Sequence, residues 1–496
     1  MRSMRCDVVI IGAGILGCTM ARKLSRYCLD VCVVEAAHDV GEGATKANSG
    51  VLYAGFHPRG GSLKGTSCVA GNAAYAEIAD ELDVPRIMCG GLYVAFGPEG
   101  MKRLREKHER ARANGVGDLE IVSGEEAREL EPRLSPEAIA ALVSPTTGII
   151  SPFELALATA RNAAANGASF LFDFRVSAVE REGSLWALHA ADGRVVRARY
   201  VANMAGEEAA VLDALVHPVD LIVKPRRGQY VVFDKQDAIF KATGLEPIGH
   251  VLYQAQEKDE GGTLVAPTVD GNLLAGPTSE NVRSFGDSAT SQAGIDHVLR
   301  VARKLVPDLD PAWAITTFAG VRANIVNVEK ERKDFVVRTS APGFVSLLGI
   351  KNPGMTAAPA LVDRAVSLLA AEGLQLVERA DFDPCTQGAC HSRTFFACGP
   401  DEQSSLLAAD GRYGHVVCRC EHVTEGDVRA CMRDTLPPRT LDGLKRRLRC
   451  GMGRCQGSFC TPRVLGIMAD ELGCAPSDIP KGQRGGRMSY GQVKGS

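Results

Sequence analysis

Three glycines, Gly12, Gly14 and Gly17, follow the apolar run CDVVII without a break and open the segment GAGILGCTMARKLS. The run reads as a buried strand, and the segment after it has helical spacing. A second apolar run, VCVVE, ends at Glu35, eighteen residues beyond Gly17. Strand, glycine turn, helix and strand make one βαβ unit, which commits the start of the chain to an α/β layer architecture. Each part suits a dinucleotide. The glycines permit a tight turn and close approach of the backbone, the helix N-terminus faces pyrophosphate, and the terminal carboxylate accepts ribose hydroxyls. Glu rather than Arg at position 35 disfavours a 2′-phosphate and leaves FAD or NAD.

At 496 residues the chain exceeds what one hydrophobic core serves, so two or three structural units are expected. Lys plus Arg number 57 against 59 Asp plus Glu, a net charge of −2, which provides no drive toward nucleic acid or anionic lipid. The N-terminal apolar run is broken by glycine and followed by Arg22 and Lys23, far short of the ~20 residues that span a bilayer. A cytoplasmic protein with neither signal peptide nor transmembrane helix is the expectation. Helical periodicity from Ser151 to Gly167 precedes strand-like FLFDFRVSAVE, WALHAAD and RVVRARYVANMAG. QYVVFD, HVLYQAQ and GTLVAP read as a mainly antiparallel second sheet. The predicted division gives a nucleotide domain from 1–80, 145–215 and 318–375, with a substrate domain from 81–144 and 216–317. The stretch 376–412, rich in turn formers, reads as a linker, and 413–496 as a separate small helical module.

Cysteine usage marks out that module. Of 16 cysteines, six lie before residue 380 in apolar runs and behave as small hydrophobes, while ten fall in the last quarter. In a long chain without an export signal, thiols or metal ligands outweigh disulfides. Cys418 and Cys420 form C-x-C, and Cys450, Cys455 and Cys460 follow in LRCGMGRCQGSFC. Four soft thiolates suit an iron–sulfur cluster or zinc, and C-x-C mildly disfavours zinc, whose pairs are spaced more widely. Cys431 reads as packing. Cys385, Cys390 and Cys398, with His391, form a weaker second grouping. The KRRLR run before Cys450 reads either as a solvated helix face or as positive charge that tunes a cluster or docks an acceptor.

The segment ATKANSGVLYAGFHPRGGSLKGTSCVAGN resembles the second flavin-contacting stretch of the D-amino-acid-oxidase-like superfamily of FAD-dependent oxidoreductases, which holds glycerol-3-phosphate dehydrogenases and L-2-hydroxyglutarate oxidases. YVANMAG and GIKNPGMTAAPA are similar to its later FAD signatures, and the likeness runs to about residue 370. It implies a Rossmann-like FAD-binding domain joined to an antiparallel-sheet substrate domain. It places Thr45, Asn48, Ser49 and Gly50 along the flavin and Val176 at the adenine. Ala205 and Gly206 would lie near pyrophosphate, with Gly349, Gly354, Met355 and Thr356 near the isoalloxazine. The C-terminal segment resembles the bacterioferritin-associated-ferredoxin-like [2Fe-2S] domain, which transfers ligand roles to Cys418, Cys420, Cys455 and Cys460 and leaves Cys450 as the spare.

In the resembled dehydrogenases an Arg in a G-V-R context grips the substrate's anionic group, a role that falls here to Arg322. His57 follows the flavin-contacting segment closely enough to act as base or polar contact. Tyr53, Tyr253, Lys351 and Arg226 are weaker members of the same pocket. The expected activity is oxidation of a small anionic substrate, a 2-hydroxy acid or glycerol 3-phosphate, with electrons passing from FAD through the [2Fe-2S] cluster to a partner subunit or acceptor protein. The alternative is a proline- or opine-type dehydrogenase subunit, or a non-catalytic electron-transfer subunit.

Overall fold

The computed structural model describes residues 3–255, 262–327, 334–385, 393–482 and 486–489. The first strand, Ser3–Ile11, pairs in parallel with Val31–Val34 on one side and Val195–Asn203 on the other. Ser169–Leu171 continues the sheet beyond Val31–Val34, and Phe344–Leu348 adds in parallel to Val195–Asn203. The hairpin of Val176–Glu182 and Leu185–Ala190 adds antiparallel at one edge. Helices Ile15–Leu24, Pro152–Ala165 and Gly354–Ala371 bury their apolar stripes on one face, where Val8, Ile10, Leu155, Leu361 and Val362 share a core. Ser151 starts the second of these helices by accepting the Glu154 N–H, and Pro152 occupies the first helical position, where its missing donor costs nothing.

The second sheet is mainly antiparallel. Its longest strand, Arg226–Lys235, pairs with Ala314–Arg322 and with Asn272–Gly276. Period-two burial separates its faces: Leu92 and Val94 join the core beneath helix Gln292–Leu305, while Tyr93 and Ala95 join the core beneath helix Pro98–Asn114. The strand Ala314–Arg322 runs through position 318 and belongs to this second sheet, so the turn back to the first sheet comes after Arg322. Among the described residues no helix is long and apolar enough to cross a membrane.

The described residues at the start of the segment read as a linker pack against the first domain. Cys28 N–H donates to Val377 O at 2.8 Å, Arg379 N–H to Arg26 O at 2.9 Å, and the Asn162 and Asn166 amides hold Asp383 O. Within the same segment, Pro400–Ala409 is a helix with Pro at its first position, Asp401 and Glu402 in its first turn and no buried residue. Proline at its first position, acidic residues in its first turn and helix propensity, with no apolar stripe, make it, so periodicity had nothing to detect. The C-terminal module follows as a short hairpin, Val416–Cys418 with Val423–Thr424, and helices Glu425–Met432, Leu441–Leu448 and Thr461–Leu472 around a core that includes Cys418, Cys431 and Cys460.

The module is clamped to both sheets by ion pairs. Arg447, with no exposed side-chain surface, donates to both oxygens of Asp39 at 2.6 and 2.9 Å. Arg446 bonds Glu42 and Asp39, and Arg161 of the first domain bonds Asp434 at 2.7 Å. Arg449 reaches Asp270 at 2.6 Å and Asn272 at 3.1 Å, and Arg454 reaches Asp234 at 2.6 Å. The KRRLR run is therefore no solvated face, and Arg446, Arg447 and Arg449 dock no outside acceptor. Spacing alone could not reveal this, because the partners lie some 180 to 400 residues earlier in the chain.

Candidate functional site

A cleft of about 1040 Å³ runs between the two sheets, at the upper end of the size range of small-molecule sites. Gly12, Gly14 and Glu35 line one end, with Val176, Ala205 and Gly206 close by. Gly12 has φ +104°, and a Cβ there would stand 2.7 Å from Met204 O; a Cβ on Gly17 would stand 1.8 Å from Gly12 O. Only glycine lets the turn and the helix pack this closely. Glu35 accepts the N–H groups of Ala13 at 2.7 Å and Ala37 at 2.8 Å. Burial raises its pKa, and those two donors act against the shift.

The middle of the cleft is walled by Thr45, Asn48 and Ser49. Thr45 Oγ1 accepts the Ile15 N–H at 3.0 Å, which ties this wall to the start of the first helix. Opposite, Gly354, Met355 and Thr356 form the first turn of helix Gly354–Ala371. Thr356 Oγ1 accepts the Tyr53 N–H at 3.1 Å and fixes that turn against the far strand. Two helix N-termini thus open on one cleft, an arrangement suited to a pyrophosphate and to the edge of a ring that gathers negative charge. Three expected contacts lie elsewhere. Gly17 sits behind the glycine turn, while Gly50 lies against Ile150 O and Gly349 against the Ile325 side chain, so all three shape the wall without lining it.

Beyond the second helix N-terminus the cleft becomes aromatic. The His57 ring stands among Tyr53, Phe56, Tyr93 and Tyr253, at centroid distances of 5.5, 4.1, 5.6 and 5.0 Å. Its Nε2 is buried and has no hydrogen-bond partner among the described residues. Burial holds its pKa well below the usual histidine range, and the nearby charges of Lys107 and Arg110 push the same way. Arg322 ends its strand in the cleft and donates to Thr278 O at 2.9 Å and Ser279 Oγ at 3.3 Å. Lys351 lines the cleft and bonds Asn324 Oδ1; Arg226 does not line it. Arg103, Lys107 and Arg110 also reach the cleft from helix Pro98–Asn114. Sequence reasoning misses these three, although their i, i+4, i+7 spacing puts them on one helix face.

In the module, Cys418 lies close enough to Cys450 and Cys460, and Cys420 to Cys455, for each thiol to perturb the other's titration. Backbone N–H groups of Glu421 and Gly451 point at the Cys418 sulfur, and those of Gly457 and Phe459 at Cys455. Sulfurs met by backbone donors on tight turns fit a thiolate-held cluster. A Cβ on Gly453 would stand 2.3 Å from Cys420 Cβ, so the ligand loop needs a glycine there. Cys431 is fully buried in its helix, and burial pushes its thiol up to about 12, as fits a packing residue. In the weaker grouping Cys385 is exposed and Cys398 donates to Thr394 O, while Cys390 and His391 lie outside the described residues.

Residues 7–366 match the family model described as FAD dependent oxidoreductase, and residues 416–470 match the BFD-like [2Fe-2S] binding domain. The chain belongs to the FAD-dependent oxidoreductases. Its cofactors are FAD and a [2Fe-2S] cluster. It is 36% identical to a glycerol 3-phosphate dehydrogenase of Caloramator mitchellensis over 98% of this chain and 99% of that one. It is 26% identical to one subunit of the anaerobic glycerol-3-phosphate dehydrogenase of Escherichia coli K12, over 94% and 88% of the two chains. The structure of the L-alpha-glycerophosphate oxidase of Mycoplasma pneumoniae with FAD bound superposes with a TM-score of 0.71 at 27% identity, covering 78% of this chain and 99% of that one.

Proposed function

We propose that this FAD-dependent oxidoreductase is a glycerol 3-phosphate dehydrogenase whose electrons leave one at a time through its C-terminal [2Fe-2S] module. The observation that carries the reading is the far end of the cleft. A buried His57 Nε2, partnerless among the described residues, stands there with Arg322, Lys351, Lys107 and Arg110 around the same space. A neutral imidazole suits the hydroxyl of a secondary alcohol, and the surrounding cations suit a doubly charged phosphate. A relative that carries the same name and matches nearly the whole chain, module included, supports the choice over a 2-hydroxy acid.

In this reading Arg322 and its cationic neighbours hold the phosphate and so fix the carbinol carbon. His57 Nε2 takes the hydroxyl proton as the carbon–oxygen double bond forms. The aromatic ring of Tyr53, Phe56, Tyr93 and Tyr253 keeps water from competing and keeps the imidazole neutral. Bound FAD supplies the acceptor for the hydride of the carbinol C–H bond, and the bound cluster a one-electron outlet. Of the cysteines, Cys460 stands at the start of helix Thr461–Leu472, where a thiolate meets the positive end of the dipole, whereas Cys450 follows the end of helix Leu441–Leu448. That contrast supports Cys418, Cys420, Cys455 and Cys460 as the ligands.

Anaerobic addition of substrate tests the reading. Glycerol 3-phosphate should bleach the flavin absorbance, and glycerol, L-2-hydroxyglutarate and proline should not. Bleaching by hydroxyglutarate or proline but not by glycerol 3-phosphate would overturn it. The Escherichia coli relative, named as one subunit of its enzyme, also supports a partner chain as the acceptor side.

A further inference from the structure

We propose that the outer face of the cysteine module, centred on Phe459 between Arg419 and Arg463, is the docking surface for a small acidic one-electron carrier protein. The inference rests on the reading that electrons leave through this module and names the partner they leave to.

Most arginines of the module are paired with carboxylates: Arg429, Arg433, Arg446, Arg447, Arg449 and Arg454. Among the described residues, Arg439 and Arg487 are exposed without such a pair, but neither stacks on a ring. Arg419 and Arg463 are exposed, and among the described residues no carboxylate pairs with either. Both instead stack on one ring: the Arg419 guanidinium carbon lies 4.5 Å and that of Arg463 5.3 Å from the Phe459 centroid. Arg463 spends one N–H on Val416 O at 3.4 Å. Stacking holds a guanidinium flat while leaving N–H groups along its edge for a carboxylate. Phe459 is itself 39% exposed, a large ring left to solvent at the tip of a loop.

The position of the patch gives it meaning. Arg419 lies between Cys418 and Cys420, and Phe459 precedes Cys460. Cys418 and Cys460 are buried, while Cys420 and Cys455 are partly exposed. A second exposed ring, Phe396, lies 5.7 Å from the His422 ring, two residues past Cys420. An aromatic centre with arginine on both flanks has the composition of a binding hot spot, and its uncompensated positive charge selects an acidic partner. The redox step balances simply. Each oxidised carrier takes one electron and its iron passes from Fe(III) to Fe(II), so two carriers are consumed per two-electron oxidation and no proton need cross the interface.

Oxidised rubredoxin, a small acidic one-iron carrier, is a suitable probe of the oxidised holoenzyme by titration calorimetry. Binding should weaken as salt rises from low ionic strength to about 0.3 M, and the double variant Arg419→Glu/Arg463→Glu should lose about tenfold or more in affinity. In stopped flow, the same variant reduced with dithionite should pass electrons to rubredoxin correspondingly more slowly, with flavin and cluster spectra unchanged. The milder pair Arg419→Gln/Arg463→Gln should show a smaller loss in the same direction, which keeps the test valid should charge reversal disturb the cluster. Affinity within twofold of the parent for both pairs, or equally tight binding of a basic cytochrome c at low salt, would overturn the proposal. Because dithionite replaces substrate, the result is independent of the substrate reading, which fails or stands on flavin bleaching alone.

Discussion

In the nucleotide cleft the protein withdraws side chains so that backbone can approach a ligand, whereas in the cysteine module it presents side chains and lets backbone N–H groups follow them. Gly12, Gly14 and the first turns of two helices make the cleft. Cys418, Cys420, Cys450, Cys455 and Cys460, gathered from two loops, supply the thiols of the other site. The first design tolerates no added atom, and the second tolerates no lost ligand sulfur. A rule of spacing governs each, and the seam between them obeys neither rule. Buried ion pairs join the two sites there, from Arg446 and Arg447 to Asp39 and Glu42, and Glu42 itself lines the cleft.

The largest expected effect comes from adding bulk where the cleft has no room. Gly17→Val would drive side-chain carbon into Gly12 O, which lies 1.8 Å from the position of the first added atom. Helix and strand would have to part, and the purified protein should carry no flavin, read as the absorbance ratio at 450 and 280 nm. Gly466→Ala, in the module helix with nothing within 4 Å of the new carbon, is the control. It should retain both cofactors and gain roughly 0.5–1 kcal/mol of helix stability. Flavin retention in Gly17→Val would break the comparison at its strongest point.

Next comes the chemistry between the two designs. His57→Asn should lower kcat by about 10²- to 10⁴-fold, the usual worth of a positioned base, while flavin content stays normal. Because burial holds the His57 pKa down, its neutral, proton-accepting form persists below the ordinary histidine pKa of about 6.5. The acid limb of kcat/KM in the parent should therefore lie below that value. An acid limb at 6.5 or above that persists in the Asn variant would remove His57 from the role.

The seam is predicted to be comparably sensitive in stability but not in chemistry. Arg447→Ala takes both short bonds from the buried Asp39 and leaves it only the longer contact to Arg446 at 3.4 Å, a change that costs up to about 3–5 kcal/mol, the range for losing one partner of a buried pair. The paired Arg447 holds the Asp39 pKa below the usual carboxylate range, whereas burial alone would raise it. In the parent this pair therefore contributes stability above the unfolded Asp value near 4, and that contribution is lost as pH falls through the lower folded value. Thermal unfolding and limited proteolysis should show the module released first in the variant. A melting point unchanged from the parent would mean that the clamp is idle.

How much of this the sequence disclosed follows the same division. Gly12, Gly14 and Glu35 were legible because a dinucleotide turn is a local object, written within one βαβ unit and reproduced in the structure. Gly17, Gly50 and Gly349 belong to the same signals but lie behind the wall, since spacing marks where backbone must come close without saying which side the ligand takes. Cys418 and Cys420 were legible as a local pair. The cations of helix Pro98–Asn114 and the buried fate of Arg446 and Arg447 were not, because a charged helical run looks the same whether its partner is water, a cleft or Asp39. Helix Pro400–Ala409 escaped for the opposite reason, having no apolar stripe to betray it.

The smallest expected effect is the sharpest on the module's side. Five cysteines are available for the four ligands of one [2Fe-2S] cluster, and Cys450 perturbs the titration of Cys418 just as Cys460 does. If helix polarity selects Cys460, Cys450 acts as a buried thiol, and Cys450→Ser should cost only about 1 kcal/mol for a hydroxyl in its place. Iron should stay at about two per chain, the content of one [2Fe-2S] cluster, with the visible spectrum of the reduced and oxidised protein unaltered. Cys460→Ser should lose the iron or shift the cluster spectrum, as an oxygen ligand would. Reversal of the two outcomes would hand the fourth place to Cys450 and remove the helix dipole as the property that selects a ligand in this loop.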